Sequence, residues 1–432
     1  MAKFLGDEMK VIENLVTALK DGYLCDHCLG RLFSNLLTGY TNEERGKILR
    51  TFAAFLLDSG EKLDVDLSNF YGMRFRNVKL QVGGPKECKV CKNFFEKEID
   101  TFIKKALEKL NGIEFESFLV GCVPTEDMVK AEEELWTKVG IEFVEPIKSE
   151  INREIGKRLE KITNKKFKLE NPDITIIFDL QAKSIKLQIR SLFIFGKYKK
   201  LRRGIPQCKW ICPKCNGKGC TYCGGKGKLY PTSVQEIIEK PLLKLTKSKK
   251  SRFSGGGRED INVRCLDWRP FVIEILKPIK RKINLKSVEK EINKSSAVKV
   301  KGLKFTNKET VRAIKSERAD KTYLADILFS KKLDKEKLKE LKELEGKPIL
   351  QKTPTRVLHR RADKVRKRLL KELKWKLISP RRLILKIKAE SGLYVKELIT
   401  GDEGRTKPSI SEILNNEPKK ISLDVIKIHT KW

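Results

Sequence analysis

No stretch of this 432-residue sequence reaches the roughly 18 uninterrupted apolar residues that a membrane-spanning helix needs. The opening MAKFLGDEMKVIENL carries acidic residues where a secretory signal would have its apolar core, so a cytoplasmic location is expected. Acidic side chains are themselves in short supply: 57 Asp and Glu stand against 94 Lys and Arg, a formal net charge of +37. Charged residues make up 35% of the chain, as on a thermophile surface, but such surfaces balance their signs and this one does not. On a chain long enough for about two to four domains, that excess points to a polyanionic partner, nucleic acid first. Nucleotide-holding loops are missing too. There is no Walker A lysine–serine pair and no GxGxxG opening a helix. No internal repeat of fixed period is present.

What is there reads as α+β. Met9, Ile12, Leu15, Val16 and Leu19 recur at helical spacing, and FFEKEIDTFIKKALEKLNG repeats that period and stops on glycine. After about residue 112, FESFLVGCVP reads as a strand and Val129 to Lys138 as a helix. Ile174, Ile176, Phe178 and Leu180 alternate, as do Ile185, Leu187 and Ile189, which predicts paired strands. KLTKSKKSRFSGGG has little to bury and reads as a linker, and INVRCL and RPFVIEIL read as neighbouring strands. LDKEKLKELKELEG reads as a short charged helix, and RRLILKIKAE puts Leu383, Leu385, Ile387 and Ala389 on one face of a strand. FGKYKKLRRGIPQ, bracketed by Gly196, Gly204 and Pro206, reads as a basic RNA-gripping loop or a solvated hairpin. Three domains are expected: residues 1–111, a helical module; 112–240, a mixed α+β region; and 241–432, a strand-rich region.

Eleven cysteines need an explanation other than disulfides in a reducing compartment. Cys25-x-x-Cys28 and Cys88-x-x-Cys91 are two knuckles, each presenting two thiolates, and four thiolates make a closed tetrahedral zinc site. His27, between the first two, is not expected to be a ligand. Cys212, Cys215, Cys220 and Cys223 form a second set, in which Gly217, Gly219, Gly224 and Gly225 let a short chain turn around a metal. Cys208 is a spare that could replace one of them, and no thioredoxin-like context supports a redox dithiol. Neither set has the His-plus-carboxylate character of catalytic zinc, so both are read as structural. Cys122 and Cys265 lie in apolar strands and are assigned to the core.

SGGGREDINVR, Ser254 to Arg264, poses a choice between a phosphate loop and a turn that delivers one carboxylate. An ATP-pyrophosphatase loop, SGGxDS, should follow a buried strand and carry Asp then Ser at its fifth and sixth positions. Here those positions are Arg258 and Glu259, after LTKSKKSRF, so that reading fails. A turn at Gly257 that brings Asp260 to the start of a strand, with Glu259 on the opposite side, fits better. GREDINVRCLDWRPFVIEI, ADKTYLADIL, QKTPTRVLHRR and ESGLYVKELITGDEGRTKPSISEIL, in this order, closely resemble the archaeal and eukaryotic tRNA pseudouridine synthases that modify the T-loop. The resemblance covers about residues 200–432, and the paired CxxC motifs ahead of a THUMP-type region extend it to the N-terminal half.

That resemblance implies a catalytic domain with a mixed, largely antiparallel sheet, behind a zinc-bearing helical module and a THUMP-like fold. It implies a tRNA substrate, T-loop uridines 54 and 55 as targets, structural zinc, no organic cofactor and no obligate protein partner. It makes Asp260 the catalytic aspartate, Lys396 the basic residue that pairs with it, and Tyr323 the ring against the target base. Tyr394 and Leu398 complete the GLYVKEL motif; by their charge, Arg258, Arg405 and Lys407 are expected as substrate contacts at phosphates. The residue types suit the chemistry. A carboxylate can attack or stabilise an electron-poor sugar carbon, a nearby lysine favours its ionised form, and an aromatic ring can replace the stacking that an extruded base loses. Two rivals are a THUMP-bearing thiolase or methyltransferase, which would need a nucleotide or methyl-donor loop, and a non-catalytic RNA-binding protein that keeps the fold.

Overall fold

The computed structural model describes residues 2–432, and the side chains of all of these except 2–9 and Arg360, so Met9 of the first apolar stripe lies outside the described side chains. The chain divides into two compact units, one ending at Arg190 and one running Ser191–Trp432. Among the described residues no helix is long and apolar enough to cross a membrane.

The first unit opens with the helix Ala2–Lys20, which buries Leu15, Ala18 and Leu19. The helix Asn42–Asp58 starts on a reciprocal cap: Thr41 Oγ1 accepts the Glu44 amide at 3.2 Å, and the Glu44 carboxylate accepts the Thr41 amide at 2.8 Å. It crosses the short helix Asp26–Gly30 backbone to backbone. A Cβ on Gly30 would lie 1.8 Å from the Asn42 carbonyl oxygen, and one on Gly46 would lie 1.9 Å from that of Asp26. That close crossing presents Cys25 and Cys28 at the start of the short helix. The helix Ile99–Leu110 then leads to a four-stranded sheet of β1 (Ser117–Val123), β2 (Lys166–Phe167), β3 (Ile174–Asp179) and β4 (Ser184–Ile189). Its order is β2-β1-β3-β4, with β1 parallel to β2 and β3, and β3 antiparallel to β4. The helices Glu126–Val139 and Ile147–Thr163 supply the crossover that parallel strands require. The expected alternation is realised, since Ile174, Ile176 and Phe178 all face the core.

The second unit is built on ten strands: β5 (Leu192–Lys200), β6 (Lys250–Gly255), β7 (Arg264–Leu276), β8 (Val298–Thr306), β9 (Asp320–Phe329), β10 (Pro348–Gln351), β11 (Arg366–Ser379), β12 (Arg382–Ala389), β13 (Thr406–Lys407) and β14 (Pro418–His429). They run in the order β13-β10-β11-β12-β9-β14-β7-β5-β8, with β6 paired to β7. Only β14 and β7 pair in parallel, through Asp424↔Arg264 and Val425↔Cys265, so the sheet is mixed and largely antiparallel. Leu383, Leu385, Ile387 and Ala389 of β12 are all fully buried, and each of the larger three contributes about 1.5–3 kcal/mol. Cys122 and Cys265 are core residues, as expected.

Four expectations change. The chain divides at 190/191 rather than at 240, because β5 is hydrogen-bonded into the large sheet and takes the second cysteine set with it. The lysine-rich stretch before Gly255 is not a linker: it ends the helix Val234–Thr246 and then forms β6, whose Phe253 stacks on Phe271. INVRCL and RPFVIEIL are not neighbouring strands: residues 261–263 stay in the loop, and residues 264–266 run on with RPFVIEIL in one strand, β7. The front half of FGKYKKLRRGIPQ is β5, with Tyr198 and Lys200 fully buried, and not a free basic loop.

Candidate active site

Asp260 sits in the loop between β6 and β7, four residues before β7 begins, and not on the strand itself. Gly257, at φ +83°, makes the turn, and a side chain there would meet the guanidinium of Arg269 at 3.0 Å. The loop forms one wall of a cleft of about 330 Å³, opposite Tyr394 and Lys396, with Tyr323 of β9 at its side. The Asp260 carboxylate lies between two cations. Arg356 Nη1 donates to its Oδ1 at 2.9 Å, and Lys396 Nζ lies 3.5 Å from its Oδ2. Arg356 in turn donates through Nε at 2.6 Å to Glu397, whose side chain is only 6% exposed and whose Oε2 has no hydrogen-bond partner. Burial works against the Arg356 charge, but the bond to Glu397 and the charges of Glu397 and Asp260 outweigh it and raise its pKa. The result is a chain of alternating charge, Glu397–Arg356–Asp260–Lys396, that ends at a carboxylate 34% exposed to the cleft.

The remaining residues expected at the site divide. Tyr323 lines the cleft, and burial pushes its hydroxyl pKa up to about 12, so the ring is a neutral wall at working pH. Tyr394 lines it too: its hydroxyl accepts from Arg361 at 2.8 Å, and Gln351 clamps its backbone amide at 2.9 Å and its carbonyl at 3.0 Å. Arg258 reaches the rim with its guanidinium 5.4 Å above the Trp210 ring. Leu398 does not line the cleft. It is fully buried on the helix Val395–Thr400 and packs in the core beneath it. Arg405 lies outside as well, holding the Thr353 carbonyl at 3.0 Å and Asp363 at 2.5 Å, which braces the segment that carries Arg356. Arg361, Arg366, Arg368 and Lys321 also line the cleft, residues that sequence spacing did not single out. Burial, helped by the charge of Arg269, lowers the Lys321 pKa to about 8.

A buried polar network holds the Asp260 loop from behind. Lys200, fully buried, donates to the carbonyls of Asp260 and Ile205 at 3.0 Å and of Ile261 at 3.1 Å. Glu259 is not a solvated neighbour of Asp260. Its carboxylate meets Arg269 at 3.1 Å with both side chains wholly buried, and it accepts from the Tyr198 hydroxyl at 3.1 Å. Gln207 donates to that hydroxyl at 2.8 Å and to the Gly257 carbonyl at 2.9 Å, while Arg269 Nη1 donates to the Gly256 carbonyl at 2.9 Å. A carboxylate pinned between cations in an open cleft can serve as a nucleophile or stabilise positive charge that develops on a bound sugar.

The two cysteine sets each converge to a point. In each, all four sulfurs lie within 4.8 Å of one another. Tetrahedral Zn–S bonds of about 2.3 Å would set sulfurs about 3.8 Å apart. Cys212–Cys220, Cys215–Cys223 and Cys220–Cys223 are each separated by 3.8 Å, and Cys25–Cys91 by 3.5 Å. Backbone amides point at the sulfurs, with Gly219 on Cys215 at 3.2 Å, Gly227 on Cys223 at 3.1 Å and Cys25 on Cys88 at 3.3 Å, which favours thiolates. Both sets can hold a metal ion. Cys208 and His27 stand apart, and His27 instead meets Glu150 at 2.8 Å and stacks on Phe95.

Family comparisons give the class first: residues 102–179 match the archaeal Pus10 THUMP domain and residues 193–429 the Pus10 C-terminal domain. A protein of Methanopyrus kandleri named tRNA pseudouridine synthase Pus10 is 42% identical over 96% of this chain and 98% of its own length. One of the same name from Methanocaldococcus jannaschii is 41% identical over 98% of this chain and 95% of its own. The chain belongs to the Pus10 family. A solved Cbf5–Nop10–Gar1 complex overlaps 55% of this chain and 50% of its own at a TM-score of 0.30 and 14% identity, too remote to bear on function.

Proposed function

We propose that this chain is a tRNA pseudouridine synthase that isomerises uridines 54 and 55 of the T-loop, with Asp260 as nucleophile. Membership of the Pus10 family supports the tRNA and the reaction; the observation that carries the site is Asp260 held between Arg356 and Lys396 in an open, cation-lined cleft. The target uridine leaves its stack and enters beside Tyr323, whose ring replaces the lost stacking. Asp260 acts on the sugar carbon as the bond to uracil N1 breaks. The base then turns and joins the same carbon through its carbon 5, and the proton on carbon 5 is released. Substrate and product are isomers, so the reaction calls for no organic cofactor. Lys396 and Arg356 keep the carboxylate charged and oriented, and Arg258, Arg361 and Tyr394 bind around the flipped nucleotide. The helical module and THUMP-like region, in a cytoplasmic protein, grip the body of the tRNA without an obligate protein partner. Both cysteine sets hold structural zinc, and what the ion supplies is a rigid cross-link among four thiolates.

The test is a pseudouridine map of tRNA incubated with the purified protein. Modification at both T-loop positions by the wild type, and at neither by Asp260→Asn with tRNA affinity retained, is the expected result. Wild-type turnover by Asp260→Asn would remove the mechanism and the site together.

A further inference from the structure

The sheet of the second unit has a reverse face on which lysines crowd together. On β5 the side chains alternate. Tyr198 and Lys200 point to the face that supports the Asp260 loop, while Phe195, Lys197 and Lys199 point to the other. Across from them on β8, Lys299 directly opposes Lys199, and Lys301 directly opposes Lys197. Like charges directly opposed on antiparallel strands repel. No side-chain carboxylate lies within ion-pair distance of Lys199, Lys299 or Lys301 among the described residues; Lys299 donates to the Asn293 carbonyl at 2.5 Å, and Lys197 donates at 2.7 Å to a main-chain oxygen of Trp432, the last residue of the sequence. Asp267, beside this patch, is engaged by the amides of Trp268 and Ile428, each at 2.8 Å. Trp268 of β7, the strand on the other side of β5, carries its ring to the same place, with the Lys199 ammonium 4.8 Å and the Lys301 ammonium 4.5 Å from its ring centroid. Lys304 lies 5.3 Å over Phe195, next to Trp432.

Two lysine pairs interleaved with aromatic rings on one face of the sheet make a platform for a polyanion that also has faces to stack. Lysines on an edge strand also deter edge-to-edge pairing. That accounts for Lys301 and Lys304 on the terminal strand β8, but not for Lys199 on interior β5 or for Trp268. We propose that this reverse face, centred on Trp268, Lys199 and Lys301, is a second RNA-binding surface, which holds the phosphate backbone of the tRNA away from the target loop. The identity of the polyanion rests on the function proposed above.

The experiment compares the full chain with Lys199→Glu/Lys301→Glu, Trp268→Ala and Lys199→Arg/Lys301→Arg on intact tRNA and on an isolated T-loop hairpin. For the double charge reversal, tRNA Kd should rise at least about tenfold, and the log–log salt slope should fall by about 1.8, two contacts at about 0.9 each. Trp268→Ala should also weaken tRNA binding, the arginine pair should bind like wild type, and kcat at saturating tRNA and hairpin affinity should not move. An unchanged tRNA Kd and slope in the charge reversal overturns the proposal, and so does an equal loss on the hairpin, which would mark a folding defect. Wild-type tRNA binding by the charge reversal, together with lost binding to phosphatidylserine vesicles, overturns it in favour of a membrane surface. Kd is read without catalysis, so absence of pseudouridine would sink the proposed function and leave this result standing.

Discussion

Glu259 and Asp260 are adjacent carboxylates with opposite surroundings. Glu259 is wholly buried against Arg269, so Glu259→Gln leaves an uncompensated buried guanidinium. Breaking such a pair from one side costs about 3–5 kcal/mol, and denaturant melts should show a loss of that order; a loss under about 1 kcal/mol would mean the pair is not buried in solution. Lys321 gives a pH signature. An ordinary lysine keeps its proton to about 10.5, but burial sets this one near 8, so it is charged at pH 7 and mostly neutral at pH 9. As a cation lining the cleft, it should make KM for tRNA rise as pH passes through 8; a flat KM from pH 7 to 9.5 would exclude it from phosphate binding. Replacing Lys396 with Met removes one of two charges facing Asp260, so kcat should drop while the melting curve holds. None of these environments was legible locally. Glu259 and Asp260 differ only in which element each meets, and that is decided by β5 and β7.

At the scale of elements, the loop from Gly256 to Ile261 is positioned by three residues of other segments, Lys200, Gln207 and Arg269. Lys200→Met should leave the buried Ile205 carbonyl without a donor, worth about 1–3 kcal/mol, and strip the carbonyls of Asp260 and Ile261 of the second of their two donors, the amides of Val263 and Gly204 remaining, and should lower kcat more than tRNA affinity. Equal falls in both would show that Lys200 supports the fold at large and not the loop. The knuckle Cys212–Cys223 closes over 12 residues inside the second unit. Metal-binding energy in such a site is folding energy, so Cys212→Ser/Cys215→Ser should lower metal content by about one ion per chain. Less than half an equivalent in the folded wild type would mean that the thiols are only packed.

At the scale of the molecule, a net charge of +37 should make tRNA affinity fall steeply with salt, with about 0.9 in log–log slope for each duplex phosphate and about 0.7 for each single-strand phosphate. A slope near zero between low and physiological salt would show that the excess charge serves something other than RNA. That excess is spread over the cleft rim, through Arg361, Arg366, Arg368 and Lys321, and over the reverse face of the sheet. Composition reports its size and not where it gathers.

What could be read directly was whatever depends on neighbours in sequence or on period. The helix of Ile12, Leu15 and Leu19, the paired alternation of β3 and β4, the buried face of β12 and the grouping of cysteines by spacing all belong there. Ordered motifs also placed Asp260, Tyr323, Tyr394 and Lys396 on one short list. Tertiary structure decided the rest, because it depends on long-range pairing. β6 looked like a linker since its lysines and serines carry no strand pattern until Phe253 packs on Phe271. Leu398 left the site because it follows Lys396 by two helix positions, about 200° of turn, which points it into the core while Lys396 faces the cleft. Arg356, remote in sequence from Asp260, became its partner only once the segment after β10 folded over the cleft, and no local pattern encodes a contact set by sheet order.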